Sequence, residues 1–168
     1  MVTVATRCIS RIDCRIVGTA TLERTSGEAA FRSADELRAV LDGLLANVDA
    51  DERTGPLLRA AHLRARFEFT DVHVSLNVAS AEKDEAHCVE WSYARRAPWK
   101  PKVVLRMDSG VANRWFQGEE SLAIAIARGR VRSTGETKGT LFFVPLAKLL
   151  SEPYRQVIEA DHRHLLLA

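Results

Sequence analysis

Between Leu63 and Met107 an apolar side chain returns at every second position, and this period limits the fold more than any other feature of the chain. Leu63, Ala65, Phe67 and Phe69 alternate with Arg64, Arg66, Glu68 and Thr70, and Val72, Val74, Leu76 and Val78 alternate with His73, Ser75 and Asn77. The same rule holds for Val89, Trp91 and Tyr93, and again for Val103, Leu105 and Met107. A pleated strand sends successive side chains to opposite faces, so each run is a strand with one wet and one buried side. Four such strands, mostly joined by short connections, predict an antiparallel meander with a single apolar face. A second layer must cover that face.

The flanking sequence supplies helices for that layer. Ser33 followed by Glu36 has the form of a capping box. Leu37, Val40, Leu41, Leu44, Leu45 and Val48 recur at helical spacing behind it, so an amphipathic helix is expected over about 34–48. Gly55-Pro56 breaks the chain, and Leu57, Leu58 and Ala61 suggest a short second helix. After the strands, Asp108 or Ser109 can cap a helix through Val111, Ala112, Trp115 and Phe116 that stops at Gly118. Leu122–Ala127 is apolar nearly all round and rich in Ala, which predicts a buried helix. Arg130–Gly135 reads as a fifth strand, closed by a turn through Gly139. An apolar helix over 141–150 follows, and Ser151 with Pro153 reads as the start of a last helix reaching about Arg163. Residues 1–32 show weak alternation at Cys8–Ile12 and Arg15–Gly18, and read as an extension that forms either one or two extra strands or a docking arm.

Composition excludes several classes. A chain of 168 residues with 46% hydrophobic and 27% charged side chains has the size and usage of one globular domain. Its 24 basic and 22 acidic groups nearly balance, so no global field draws it towards nucleic acid. Cys8, Cys14 and Cys88 include no Cys-x-x-Cys pair, which argues against a disulfide framework and against a zinc site. Arg7, Arg11, Asp13 and Arg15 interrupt any signal-peptide core, and a cytoplasmic location is expected.

The order of these elements, and the stretch 105–150 in particular, resembles the sterol carrier protein 2 family. The likeness rests on Leu105-x-Met107, Gly118, the small residues Ala123, Ala125 and Ala127, Gly129-Arg-Val131-Arg-Ser-Thr-Gly135, and the apolar run 141–150. It extends over roughly residues 35–160. The resemblance implies an α+β fold: a five-stranded, mainly antiparallel sheet with helices on one face around an apolar tunnel, here with the 1–32 extension before a domain over 33–168. It further implies non-catalytic binding and carriage of a sterol, a fatty acyl chain or a similar hydrophobic molecule.

A cavity of several hundred cubic ångströms is therefore expected between the sheet and the helices at 119–128 and 141–150. Its candidate lining is Phe67, Phe69, Trp91, Met107, Trp115, Phe116, Leu122, Ile126, Phe142, Phe143, Leu146 and Leu150. The small residues of the 122–127 helix either leave room for a guest or let backbones pack closely.

Arg95, Arg96, Trp99, Lys100 and Lys102 interleave cations with an aromatic ring between two prolines, a mixture suited to transient membrane contact. Stacking on single-stranded nucleic acid would use the same residues but fits the balanced charge less well, and a solvated strand connection is the plain alternative. His162-Arg163-His164 reads as a frayed helix end rather than a metal site, and His87-Cys88 lacks a triad partner. Gly129–Gly139 lacks the order of a phosphate loop. No motif asks for a cofactor. The alternative function is a small enzyme acting on a hydrophobic biosynthetic intermediate in the same pocket. It would need Asp71, His73, Glu90 or Asp108 to face inward with a shifted pKa.

Overall fold

The computed structural model describes residues 30–81 and 86–167, without the side chains of 137–139, 141, 142, 144, 145 and 147. The 1–29 part of the expected extension, with Cys8 and Cys14, lies outside the described residues. Helix α1 (Ala34–Ala50) begins as its sequence predicts. Ser33 Oγ accepts the Glu36 N–H at 3.1 Å, and Glu36 Oε2 accepts the Arg32 N–H at 2.6 Å. Its six apolar stripe residues are all buried. A short helix α2 (Thr54–Ala60) leads into the sheet.

Strands β1 (Arg64–Phe69), β2 (Val74–Ser80), β3 (Val89–Ser92), β4 (Val103–Met107) and β5 (Arg132–Gly135) form one sheet in the order β3-β2-β1-β4-β5. The register places Phe67 opposite Leu76 and Leu105, so one face collects Ala65, Phe67, Phe69, Leu76, Val78, Leu105 and Met107. The other face carries Arg66, Glu68, Asn77, Arg106 and Arg132. The expected four-strand meander needs correction. Only β1, β2 and β3 form one, and β4 pairs in parallel with β1 on its far side. Because β3 and β4 run the same way, the connection at 93–102 must return a strand length and cross β2 and β1. Steps of about 4.8 Å per strand are within reach of ten residues at roughly 3.3 Å each. The connection crosses on the polar face, where Arg66 Nη1 donates to Arg95 O at 3.0 Å and Asn77 Nδ2 donates to Ala94 O at 2.8 Å.

Helix α3 (Ser109–Phe116) is capped from a distance: Asp71 Oδ1 and Oδ2 accept the Ser109 N–H and Oγ–H at 2.8 and 2.6 Å. Helix α4 (Leu122–Ala127) is not the buried helix its composition suggested. Leu122 and Ala125 face inward, while Ala123 and Ala127 are exposed and Ile124 is 50% exposed. Six residues make too short a helix to be enclosed on every side, and its packing against a neighbouring element is with α5. The two helices expected after Gly139 are one, α5 (Thr137–Asp161), which continues through Pro145 and Pro153. Ser151 does not cap a new helix; its hydroxyl bonds back to Lys148 O at 3.3 Å. Burial of Phe143, Leu146, Leu150, Tyr154 and Ile158 outweighs the backbone bonds the prolines remove.

β5 ends at Gly135, whose φ of +110° is open to glycine but not to a side chain. A Cβ there would overlap the carbonyl oxygen of Lys102, the residue just before β4.

Candidate functional site

Three helices close over the apolar face of the sheet. Leu41, Leu44 and Leu45 come from α1, Trp115 and Phe116 from α3, and Phe143, Leu146 and Leu150 from α5. With Leu58, Leu63, Phe67, Leu76 and Val78 they enclose a void of about 40 Å³. Ligand-sized pockets measure roughly 300–1,000 Å³, so the void is smaller than expected by about an order of magnitude. The cause is a cluster of rings. Phe67 meets Phe143 edge-on at 5.5 Å and stacks on Trp115 at 6.2 Å, and Trp115 lies 4.8 Å from Phe116. Four large side chains converge where an open tunnel was expected.

Six of the residues expected to line the site therefore do border this void: Phe67, Trp115, Phe116, Phe143, Leu146 and Leu150. Phe69, Met107 and Leu122 are buried in the core away from it, and Ile126 is half-buried. Trp91 packs at the sheet edge, where its Nε1 donates to Asp42 Oδ1 at 2.8 Å. The Phe142 side chain lies outside the described residues. The α1 leucines and the inner β2 residues Leu76 and Val78 were missed. Their helical stripe and alternating positions were legible, but neither pattern tells which part of a core borders a void.

One polar atom stands out. Trp115 is 1% exposed, and its indole Nε1 has no hydrogen-bond partner among the described residues. A buried donor left unmatched costs about 1–3 kcal/mol.

The ionisable candidates sit elsewhere. Asp71, His73, Glu90 and Asp108 are all exposed; Asp71 caps α3, and Asp108 accepts the Thr70 hydroxyl. His87 and Cys88 dock on α1: Asp49 Oδ2 lies 2.7 Å from His87 Nδ1, and Asp49 Oδ1 accepts the N–H groups of Cys88 and Val89 at 2.6 and 3.0 Å. Burial pushes the Asp49 carboxyl up, but His87 and the two backbone N–H groups outweigh it and hold its pKa below the ordinary value. The reading of His162 and His164 as a frayed end is corrected by their contact with helix α1: both imidazoles reach Glu36 Oε1, at 3.3 and 3.2 Å. Beside them Leu165 is fully buried, and its carbonyl accepts from Asn113 Nδ2 and Gln117 Nε2 at 2.9 and 2.8 Å. Tyr154 donates to Asn113 Oδ1 at 2.8 Å, and burial pushes its hydroxyl pKa up. Among the described residues no group of three His, Cys, Asp or Glu side chains is arranged to hold a metal ion. In the connection across the polar face Arg95, Arg96, Lys100 and Lys102 are exposed, whereas Trp99 is half-buried beside Asn77 and Glu90.

No family model matches the chain. No curated protein matches it by sequence. Solved structures do match by fold. A UbiJ-SCP2 ubiquinone synthesis protein superposes with a TM-score of 0.51 at 16% identity, over 69% of this chain and 97% of that one. A double mutant of a sec-alkyl sulfatase gives 0.51 at 16% identity, over 68% of this chain but only 16% of the sulfatase. The stereoselective inverting sec-alkylsulfatase from Pseudomonas sp. gives 0.49 at 16% identity, over 61% of this chain and 15% of that one. This chain thus spans about one sixth of the sulfatase and nearly the whole of the smaller protein. Five strands in mixed order, helices on one face and an aromatic-lined interior make this a sterol carrier protein 2-like fold.

Proposed function

We propose that this chain binds and carries a hydrophobic small molecule bearing a hydrogen-bond acceptor, such as a sterol, a fatty acyl compound or a similar lipid. The observation that carries the reading is the unmatched Nε1 of Trp115, a residue that borders an interior void lined by apolar side chains. No polar atom of the described residues faces the void at rest, so a hydroxyl, carbonyl or ether oxygen on a guest would satisfy that donor once the surrounding rings part. Each methylene buried beside it would contribute about 0.8 kcal/mol, less the cost of ordering the chain. With a resting void of about 40 Å³, the guest makes its own room by displacing the α5 side chains Phe143, Leu146 and Leu150 from Phe67 and Trp115.

The fold neighbour that works in ubiquinone synthesis supports a lipid-handling role at the level of fold alone. Residues 33–168 constitute the binding domain in this reading. Among the described residues no helix is long and apolar enough to cross a membrane. Loading at a membrane surface would use the exposed cations Arg95, Arg96, Lys100 and Lys102, with Trp99 at the headgroup level.

Native mass spectrometry of gently purified protein, and displacement of a fluorescent fatty acid, test the reading. Wild type should bind long-chain ketones and alcohols more tightly than alkanes of equal length, by about tenfold for one hydrogen bond gained by a buried donor. Trp115→Phe should abolish that preference while retaining the alkane. Absence of copurified lipid together with no saturable binding of any probe refutes the carrier reading.

A further inference from the structure

A second concavity lies apart from the aromatic void, where the end of β4 and the start of β5 meet α3. It is a cleft of about 640 Å³ containing Arg106, Arg114, Arg130 and Arg132, with Thr70 and Asp108 on its wall. Its four guanidinium groups come from β4, α3, the turn before β5 and β5 itself; Asp108 is the carboxylate of its lining, and the buried Glu120 behind it pairs with two of the four.

The carboxylates do not serve the cations equally. Glu120 Oε2 accepts from Arg114 Nε at 3.1 Å, and Glu120 Oε1 pairs with Arg130 Nη2. Asp108 accepts the Thr70 hydroxyl. Arg106 and Arg132, by contrast, are direct register partners on the exposed face of the β4–β5 pair and form no ion pair among the described residues. Like charges placed directly opposite on neighbouring strands repel. Arg106 also lies opposite Glu68 of β1, but that carboxylate is engaged by Arg66 Nε at 2.9 Å. The fold therefore holds two guanidinium groups without an ion pair side by side, next to two others whose orientation is set by one buried carboxylate.

That arrangement suits an anion with several oxygens. Each guanidinium presents a planar fork of donors that matches two oxygens of a phosphoryl group, and weak hydration makes Arg better than Lys for this task. Buried Met107 and Val111 back the cleft, so its floor is apolar while its rim is cationic. We propose that this cleft binds a phosphoryl group, bridged by Arg106 and Arg132 and flanked by Arg130 and Arg114. The site is independent of the apolar void and of the carrier reading. A soluble phosphate monoester and a phospholipid headgroup present the same chemistry.

The test compares the full chain with the double variant R106Q/R132Q, and uses R53Q/R163Q, at two exposed arginines outside the lining of the cleft, as a control for general charge. Three probes are titrated at low salt: inorganic phosphate, glycerol 3-phosphate, and phosphatidylcholine vesicles with or without phosphatidic acid. Wild type should bind at least one phosphate probe saturably and melt higher in its presence. The double variant should bind at least tenfold more weakly, and R53Q/R163Q should keep wild-type affinity. Binding of glycerol 3-phosphate supports the proposal with a soluble source, and binding confined to phosphatidic acid vesicles supports it with a lipid source. No saturable binding of any of the three probes by wild type overturns it, as does an equal loss in R53Q/R163Q. Because the double variant removes a repelling pair, it should melt no lower than wild type without ligand. A markedly lower melting temperature would show the two arginines to be structural and would overturn the proposal too.

Discussion

Ala123, Ala125 and Ala127 occupy one short helix but three different environments. Ala125 is fully buried, whereas Ala123 and Ala127 face solvent. None of the three borders the void. Replacing Ala125 with Leu should overpack the contact and cost about 1–3 kcal/mol. The same change at Ala123 or Ala127 should stay within about 0.5 kcal/mol. Urea denaturation of the three variants checks this ranking, and equal losses at all three positions would contradict the observed helix orientation. The small-residue pattern was plain in the sequence. Which of its members faced inward was not, because six residues give too little helix to show a period.

At the scale of elements, two carboxylates on α1 fasten other parts of the chain to it. Asp49 holds the start of β3 through His87, Cys88 and Val89. Glu36 holds the C-terminal turn through His162 and His164. Burial pushes the Glu36 carboxyl up, but the Arg32 N–H and the two histidines more than offset it, so its pKa lies below the ordinary 4.5. Asp49 likewise lies below 3.8. A carboxylate whose folded pKa is depressed adds stability that is fully present above its unfolded value and is lost as pH falls through the folded one. Unfolding midpoints should therefore decline as pH drops below about 4.5, and Glu36→Gln should flatten the first part of that decline. A Glu36→Gln curve parallel to wild type over this range would remove Glu36 from the account. The capping box announced Glu36 as a helix starter. Its second role, as hydrogen-bond partner of His162 and charge partner of His164 far along the chain, has no local signature.

For the molecule as a whole, closure depends on contacts between segments remote in sequence. Leu165 is fully buried, and its carbonyl bonds to Asn113 and Gln117 of the α3 region, so the last turn seals the layer of helices. Leu165→Ala should cost about 2–5 kcal/mol, the usual range for a Leu truncated in a packed core, measured as a shift in chemical-denaturation midpoint at constant slope. A change below about 0.5 kcal/mol, the range of ordinary surface substitutions, would mean that the turn does not seal the core in solution.

What the sequence by itself determined about this protein is local. Four of the five strands followed from a period of two, α1 from a stripe behind a cap, and the apolar interior from the aromatic residues that pattern turned inward. Tertiary structure alone decided the rest. Nothing in Val103–Met107 distinguishes the far edge of β1 from the edge of β3, since backbone groups offer the same hydrogen bonds at either place. Pro145 and Pro153 argued for two helices, and only the packing of Tyr154, Ile158 and their neighbours against the rest of the core shows why one continuous helix prevails. The size of the interior was equally hidden. Phe67, Trp115, Phe116 and Phe143 could have ringed a tunnel or filled it, and the choice lies in rotamers and helix positions set by long-range contacts. The arginine pair across β4 and β5 is the same kind of fact: Arg106 and Arg132 become neighbours only once the register is formed.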